Sequence, residues 1–202
     1  MNFRALESTL SERRVRRSGG RVAAVGALAL LVACVPCLAE EVSVRVQRHG
    51  ETIVIDVEAS VAASQREAWS VLTDYDRMAS FISNIKSSRV VARQGDTLEV
   101  AQSGETKVAF LRFGFSAVRA IELVPMREIR STLVSGDFKS YTSTTSIAAT
   151  PSGTTIRHHG EYVPKSWLPP LVGPAVIESE THKQWREFIA EMGRRATTAT
   201  SR

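Results

Sequence analysis

Cysteine is nearly missing from this chain. Of its 202 residues only Cys34 and Cys37 are cysteine, and both lie in or beside an apolar stretch near the N-terminus. A chain cut after Ala39 keeps neither. That excludes a disulfide, a thiol nucleophile and a cysteine metal site from the remaining 163 residues. Long apolar runs are missing too. Val22–Ala33 falls well short of the roughly 20 residues a membrane-spanning helix needs. There is no internal repeat, no low-complexity linker and no charge block between Glu40 and Arg195, so one domain is the expected organisation. No serine–histidine–acid order, glycine-rich phosphate loop or paired-carboxylate site stands out, and no cofactor is implied.

The charge is as uninformative as it is uneven. Residues 1–39 hold six arginines against Glu7 and Glu12, a contribution of +4 to an overall charge of +5, which leaves about +1 for the rest. Affinity for phosphate backbones needs clustered positive charge, so the high isoelectric point carries no expectation of nucleic-acid binding.

What those first residues do carry is a leader pattern. Arg13, Arg14, Arg16, Arg17 and Arg21 precede the apolar run, and Pro36 breaks it just before Cys37-Leu38-Ala39. A basic region, a short apolar region and a small residue at the cut are the marks of a secretory signal over 1–39. The expected product is a protein exported to the periplasm of a bacterium with an outer membrane. Leu31-Val32-Ala33-Cys34 also resembles a lipoprotein box, in which Cys34 would carry the lipid anchor. The paired arginines suggest a twin-arginine leader only weakly, because the residues after them are not the expected apolar ones.

Beyond the leader the pattern alternates. Val42, Val44 and Val46, then Ile53, Ile55 and Val57, flank His49-Gly50 and read as a β-hairpin. At Ser64 the period changes. Ser64 with Glu67 three residues on is a capping box, and Ala68, Trp69 and Leu72 share one face of the helix it opens. A second short helix follows the break at Asp74-Tyr75-Asp76, with Met78, Phe81 and Ile82 on its apolar side.

About six strands are expected from Ser87 to Val163. Turns are read at Gln94-Gly95-Asp96, Ser103-Gly104-Glu105, Pro125-Met126, Ser135-Gly136-Asp137 and Pro151-Ser152-Gly153. Such short connections pair neighbours antiparallel. Pro174 opens a last helix, with Ile177, Thr181, Trp185, Phe188 and Met192 at spacings of three or four, ending near Arg195. Residues 196–202, small and polar, are expected as a frayed tail.

These elements predict an α+β fold, a curved antiparallel sheet wrapped around a long C-terminal helix, with two short helices after the first strands. The carrying residues are Ala68-Trp69-Ser70-Val71-Leu72-Thr73-Asp74-Tyr75-Asp76, Phe81-Ile82-Ser83-Asn84-Ile85, Ser88-Arg89-Val90, Gly136-Asp137-Phe138 and Glu191-Met192-Gly193-Arg194-Arg195. In them the chain resembles the START-like (helix-grip, SRPBCC) superfamily, and within it the polyketide cyclase and coenzyme Q-binding group, over about 51–195. The resemblance implies a hydrophobic or amphipathic small molecule or lipid held between sheet and helix, by apolar burial. A minority of that superfamily are aromatases or cyclases.

The candidate ligand contacts follow from the strand pattern. Ile156, His158, Gly160 and Tyr162 share one face, and if that face is inward, His158 and Tyr162 are polar fixtures of the wall. An ordinary surface histidine is the rival reading. Val108, Phe110, Arg112 and Gly114 are read as one face of a strand, from which Phe110 and Arg112 reach a ligand. Arg112 and Arg119 are candidates for its polar head, with the surface as their ordinary place. Trp167, in the apolar loop 164–173, is a candidate gate or transient membrane contact. Tyr141 and Trp185 complete the set. Trp69, Asp74 and Tyr75 read as core and turn residues. His158 and His159, adjacent on a strand, point to opposite faces, and no metal site is expected. Two alternatives stay open beside the carrier: a cyclase-like enzyme using His158, Tyr162 or Arg112 in acid–base or orienting roles, and a filled-core protein that only contacts partners.

Overall fold

Alternating apolar residues dictate most of this fold. The computed structural model describes residues 41–108, 111–165 and 173–200. Strands β1 (Glu41–His49) and β2 (Thr52–Val61) form the expected hairpin. After them come α1 (Gln65–Leu72) and a 3₁₀ turn (Tyr75–Ser80). The strands β3 (Ile85–Gln94), β4 (Thr97–Val108), β5 (Leu111–Val124), β6 (Glu128–Gly136), β7 (Phe138–Thr150) and β8 (Gly153–Pro164) then run to α2 (Pro174–Thr200). All pairings are antiparallel, and the order is β1-β2-β8-β7-β6-β5-β4-β3. The hairpin thus sits beside the last strand, and the sheet closes chain end against chain start.

One face of the sheet is the core. Register aligns Ile53, Val57 and Ala59 of β2 with Tyr162, His158 and Ile156 of β8, then with Tyr141, Thr145 and Ile147 of β7. Val57, Ile156, Ile147, Ile129, Ile121, Leu98 and Val100 are buried there, together with Tyr75 and Met78 of the 3₁₀ turn and Ile82 just after it. Tyr75 is therefore core, and α1 buries Ala68, Val71 and Leu72 while Trp69 stays half-exposed.

The capping box forms as expected. Glu67 N–H donates to Ser64 Oγ at 3.2 Å, and Glu67 Oε2 accepts from Ser64 N–H at 2.8 Å. Ser64→Ala is expected to destabilise the protein by about 1 kcal/mol, read as a lower urea midpoint at unchanged slope.

Three expectations give way. Ser103-Gly104-Glu105 is no turn; it lies inside β4. A Cβ at Gly104 would stand 2.3 Å from Asn84 O and 2.4 Å from the Phe115 ring. This glycine marks a close approach within the sheet, where Glu105 N–H donates to Asn84 O at 2.9 Å. Val108 and Leu111 pair across two strands, so the alternation read through 108–115 spans a hairpin rather than one strand. And α2 continues through Thr200, five residues past Arg195, so the tail expected over 196–202 is helical to that point.

The C-terminal half of α2 is locked by charge to Asp74, just past the end of α1. Glu191, 8% exposed, accepts from Arg194 at 2.6 and 2.7 Å and from Arg195 Nε at 2.7 Å. Arg195 also donates to Asp74 Oδ2 at 2.7 Å and lies 5.5 Å from the Phe81 ring centroid. Hydrogen bonding from Arg194, then Arg195, holds the Glu191 carboxyl down to about 2.

Candidate functional site

The inward rows of β7 and β8 carry an aromatic wall at one end of the sheet. Tyr141 and Tyr162 are cross-strand partners, with ring centroids 6.4 Å apart. Phe138 meets Tyr162 edge-on at 5.5 Å and Tyr141 at 6.0 Å. The register shift between Phe138 and Ser140 explains how a residue three before Tyr141 shares its face. Burial pushes the Tyr162 hydroxyl above its ordinary range, so it stays protonated and able to donate.

His158 stands four residues before Tyr162 on the same face of β8. It is inward, against the surface alternative. Its Nδ1 lies 2.8 Å from Thr145 Oγ1, and its ring packs 5.5 Å from that of Trp185. A Cβ at Gly160 would come within 3.1 Å of His158 Nε2, so the glycine leaves the ring its space. Burial, reinforced by the Arg119 charge, pushes His158 down to about 4. The imidazole is neutral at neutral pH. Its neighbour His159 faces out, bonded to Asp56 at 2.7 Å, chiefly by which it is raised.

The sequence reading gave Arg119 as a candidate for the ligand's polar head with the surface as its ordinary place; here it is the charged centre of the inner face. It lies in the inward row of β5 with Ala117 and Ile121 and bonds the Gln102 side-chain carbonyl. It also donates to Tyr141 Oη at 3.3 Å and Ser131 Oγ at 3.4 Å, and its guanidinium is 5.3 Å from the Tyr141 centroid. Gln102 is itself held, donating to Ser88 Oγ at 2.9 Å, and the Tyr141 hydroxyl donates to Ser143 Oγ at 3.2 Å. Beneath lies Tyr75, pushed up to about 12 by burial, with Arg119 pulling the other way. The signal was present in the alternation Ala117, Arg119, Ile121. What hid it was that arginine ordinarily faces water.

Arg112 is a correction. It belongs to the opposite row of β5, is 65% exposed, and pairs with Glu105 at 3.2 Å on the outer face. Even spacing from Val108 cannot bring it inward, because the chain reverses between the two. Trp185 sits inside, 5% exposed. Phe110 and Trp167 lie outside the described residues.

Coverage of this face is uneven. Trp185, Phe188, Ile189, Glu191 and Met192 of α2 are buried, whereas none of residues 174–184 is. The inward side chains Arg119, Tyr141, Ser143 and Tyr162 correspondingly stay partly accessible, while Ile147 and Ile156 are sealed. The result is a partly accessible stretch of the inner face with an aromatic wall and an inward cation. A separate open groove of about 830 Å³ runs between Glu41–Val42 and the flank of α2 at His182, Lys183 and Arg186. It shares no residue with the aromatic wall.

The family described as polyketide cyclase / dehydrase and lipid transport matches residues 61–195. No curated protein sequence matches the chain. Among solved structures, the chain is similar to a STAR-related lipid transfer protein from Xanthomonas axonopodis (TM-score 0.62, 8% identity, 75% of this chain and 93% of that one). It is also similar to the Zhui aromatase/cyclase from a Streptomyces species (TM-score 0.59, 16% identity, 71% and 95%). A START superfamily protein from Mycobacterium smegmatis matches at TM-score 0.51 and 18% identity, over 74% and 99%. At such identities the likeness is one of fold, the helix-grip fold.

Proposed function

The chain belongs to the polyketide cyclase / dehydrase and lipid transport family, and from that premise we propose that it binds a hydrophobic ligand on the inner face of its sheet. The observation that carries this reading is the uneven cover. Over Ile147 and Ile156 the core is closed, and Tyr141 and Tyr162 stay partly accessible, while the first part of α2, 174–184, holds no fully buried residue. Apolar area left accessible on a concave face is where a ligand gains most by excluding water. The aromatic rings would take the ligand's apolar body, and Arg119 with its hydroxyl neighbours its polar end. The two solved relatives named for lipid transfer and for aromatase/cyclase activity support a small-molecule role of this kind.

Carriage is better supported than catalysis. A general base must reach its substrate. His158 is part-buried, with Nδ1 engaged by Thr145 and its ring packed on Trp185, so the imidazole of this face is held in structural contacts. The leader pattern of residues 1–39 supports a place of work outside the cytoplasm, in the periplasm.

The test is extraction. Purified full chain, treated with organic solvent and analysed by mass spectrometry, is expected to release one amphiphile reproducibly and to rebind it. A protein that releases none and binds no added hydrophobic probe overturns the reading.

A further inference from the structure

Arg119 is an inward guanidinium with no carboxylate at ion-pair distance among the described residues. Its partners are the amide oxygen of Gln102 and the hydroxyls of Ser131 and Tyr141, all neutral. Arginine stays charged at any physiological pH and offers five N–H donors in a planar fork. Removing such a charge from water without a counter-charge is costly, so proteins pair it or bind something to it.

Four acidic side chains are engaged elsewhere. Glu105 pairs with Arg112 on the outer face. Asp137 accepts from the backbone N–H and hydroxyl of Ser116 at 2.7 and 2.9 Å. Glu191 and Asp74 belong to the clasp around Arg195. The cation is moreover fixed in place: Gln102 is braced by Ser88, and Tyr141 by Ser143. Tyr141 touches Arg119 through its hydroxyl and its ring face, and stacks on Tyr162 through the other side of the wall. A fixed cation thus adjoins an aromatic surface, in the part of the face that α2 leaves uncovered.

We propose that the ligand is an acidic amphiphile, its oxyanion head, a carboxylate or a phosphate, held by Arg119 and its apolar body laid along Tyr141, Tyr162 and Phe138. This rests on the hydrophobic-ligand reading above and names the class of ligand. A carboxylate or phosphate meets the guanidinium through paired, charge-assisted hydrogen bonds, which neutral heads do not supply. His158 is consistent with one resident cation rather than two, since it stays neutral beside Arg119. The head group then pairs an inward charge that meets no carboxylate among the described residues.

The experiment compares three probes of one chain length, oleic acid, oleyl phosphate and oleyl alcohol, by calorimetric titration of delipidated full chain. The wild type is expected to bind at least one of the two anions roughly tenfold tighter than the alcohol. Whichever anion wins separates carboxylate from phosphate. Arg119→Gln is expected to bring all three probes to the affinity of the alcohol, and Arg119→Lys to retain part of the preference. Equal binding of the three probes by the wild type, which needs no variant to fold, overturns the head-group proposal and leaves the carrier standing. A preference that survives in Arg119→Gln overturns it as well. Failure of all three probes to bind overturns the carrier reading, and the head-group proposal with it.

Discussion

Trp185→Ala is expected to lower the unfolding free energy by about 4 kcal/mol, the usual cost of truncating a buried tryptophan. Trp185 is 5% exposed and is the first residue along α2 to be buried. Its ring meets Phe188 at 5.6 Å and the neutral His158 at 5.5 Å, so it joins the helix to the middle of β8. Alanine leaves a void between helix and sheet that neighbours cannot fill, because the Arg195–Asp74–Glu191 clasp still holds the far end of α2. In a domain of this size the change corresponds to a fall in Tm of roughly 10 °C. Thermal and urea unfolding measure it directly. A cost below about 1 kcal/mol would mean that α2 is not anchored there.

The pH dependence of stability carries the next largest effect. The His158 ring titrates near 4 in the folded protein against an ordinary 6.5, because burial and then Arg119 disfavour its charged form. As pH falls below 6.5 the unfolded chain takes up a proton that the folded chain refuses. Stability fully present above 6.5 is therefore lost as pH falls to about 4, by about 3 kcal/mol in all. Glu191 has the same sign in a lower window. Its contribution is present above 4.5 and disappears as pH falls through about 2. His159, raised by Asp56, works the other way, losing its contribution as pH rises, but its side chain is 53% exposed and the effect is small. Urea unfolding at pH 7, 5.5 and 4 should show the loss in the wild type and much less of it in His158→Gln, which keeps a polar group facing Thr145 and does not titrate. Equal slopes in the two proteins would contradict the burial of a neutral histidine.

Local chemistry made much of the fold readable in advance. The reciprocal bonds of Ser64 and Glu67 need only four residues, and Pro174 marks a helix start without help from the rest of the chain. Alternation placed β1 and β2 well for the same reason. It failed where a distant segment decides the outcome. Gly104 looks like a turn residue until Asn84, from the turn before β3, and Phe115 of β5 close on it. The reversal between Val108 and Leu111 was hidden by apolar residues on both sides, and with it the outward direction of Arg112.

The site was less legible, for a physical reason. Periodicity sorts Ile156, His158, Gly160 and Tyr162 onto one face, but which face is buried depends on the partners Val57, Thr145 and Trp185. Arg119 shows this most clearly. Its row was visible, yet its inward place is set by Gln102, Ser131 and Tyr141, each at least a dozen residues away. The clasp at Arg195 joins residues more than a hundred apart, and Asp74 alone gives no hint of it.

The claim that organises these observations is that a ligand lies on the inner face, at the end of the sheet that α2 leaves half-open. Photolabelling of the full chain with a stearic acid analogue bearing a mid-chain diazirine, followed by peptide mapping, tests it most directly. The expected result is label on the β7 and β8 peptides that contain Tyr141, Ser143 and Tyr162, displaced by excess unlabelled fatty acid. Label confined to the groove around His182 and Arg186, or label that excess ligand does not displace, would contradict it.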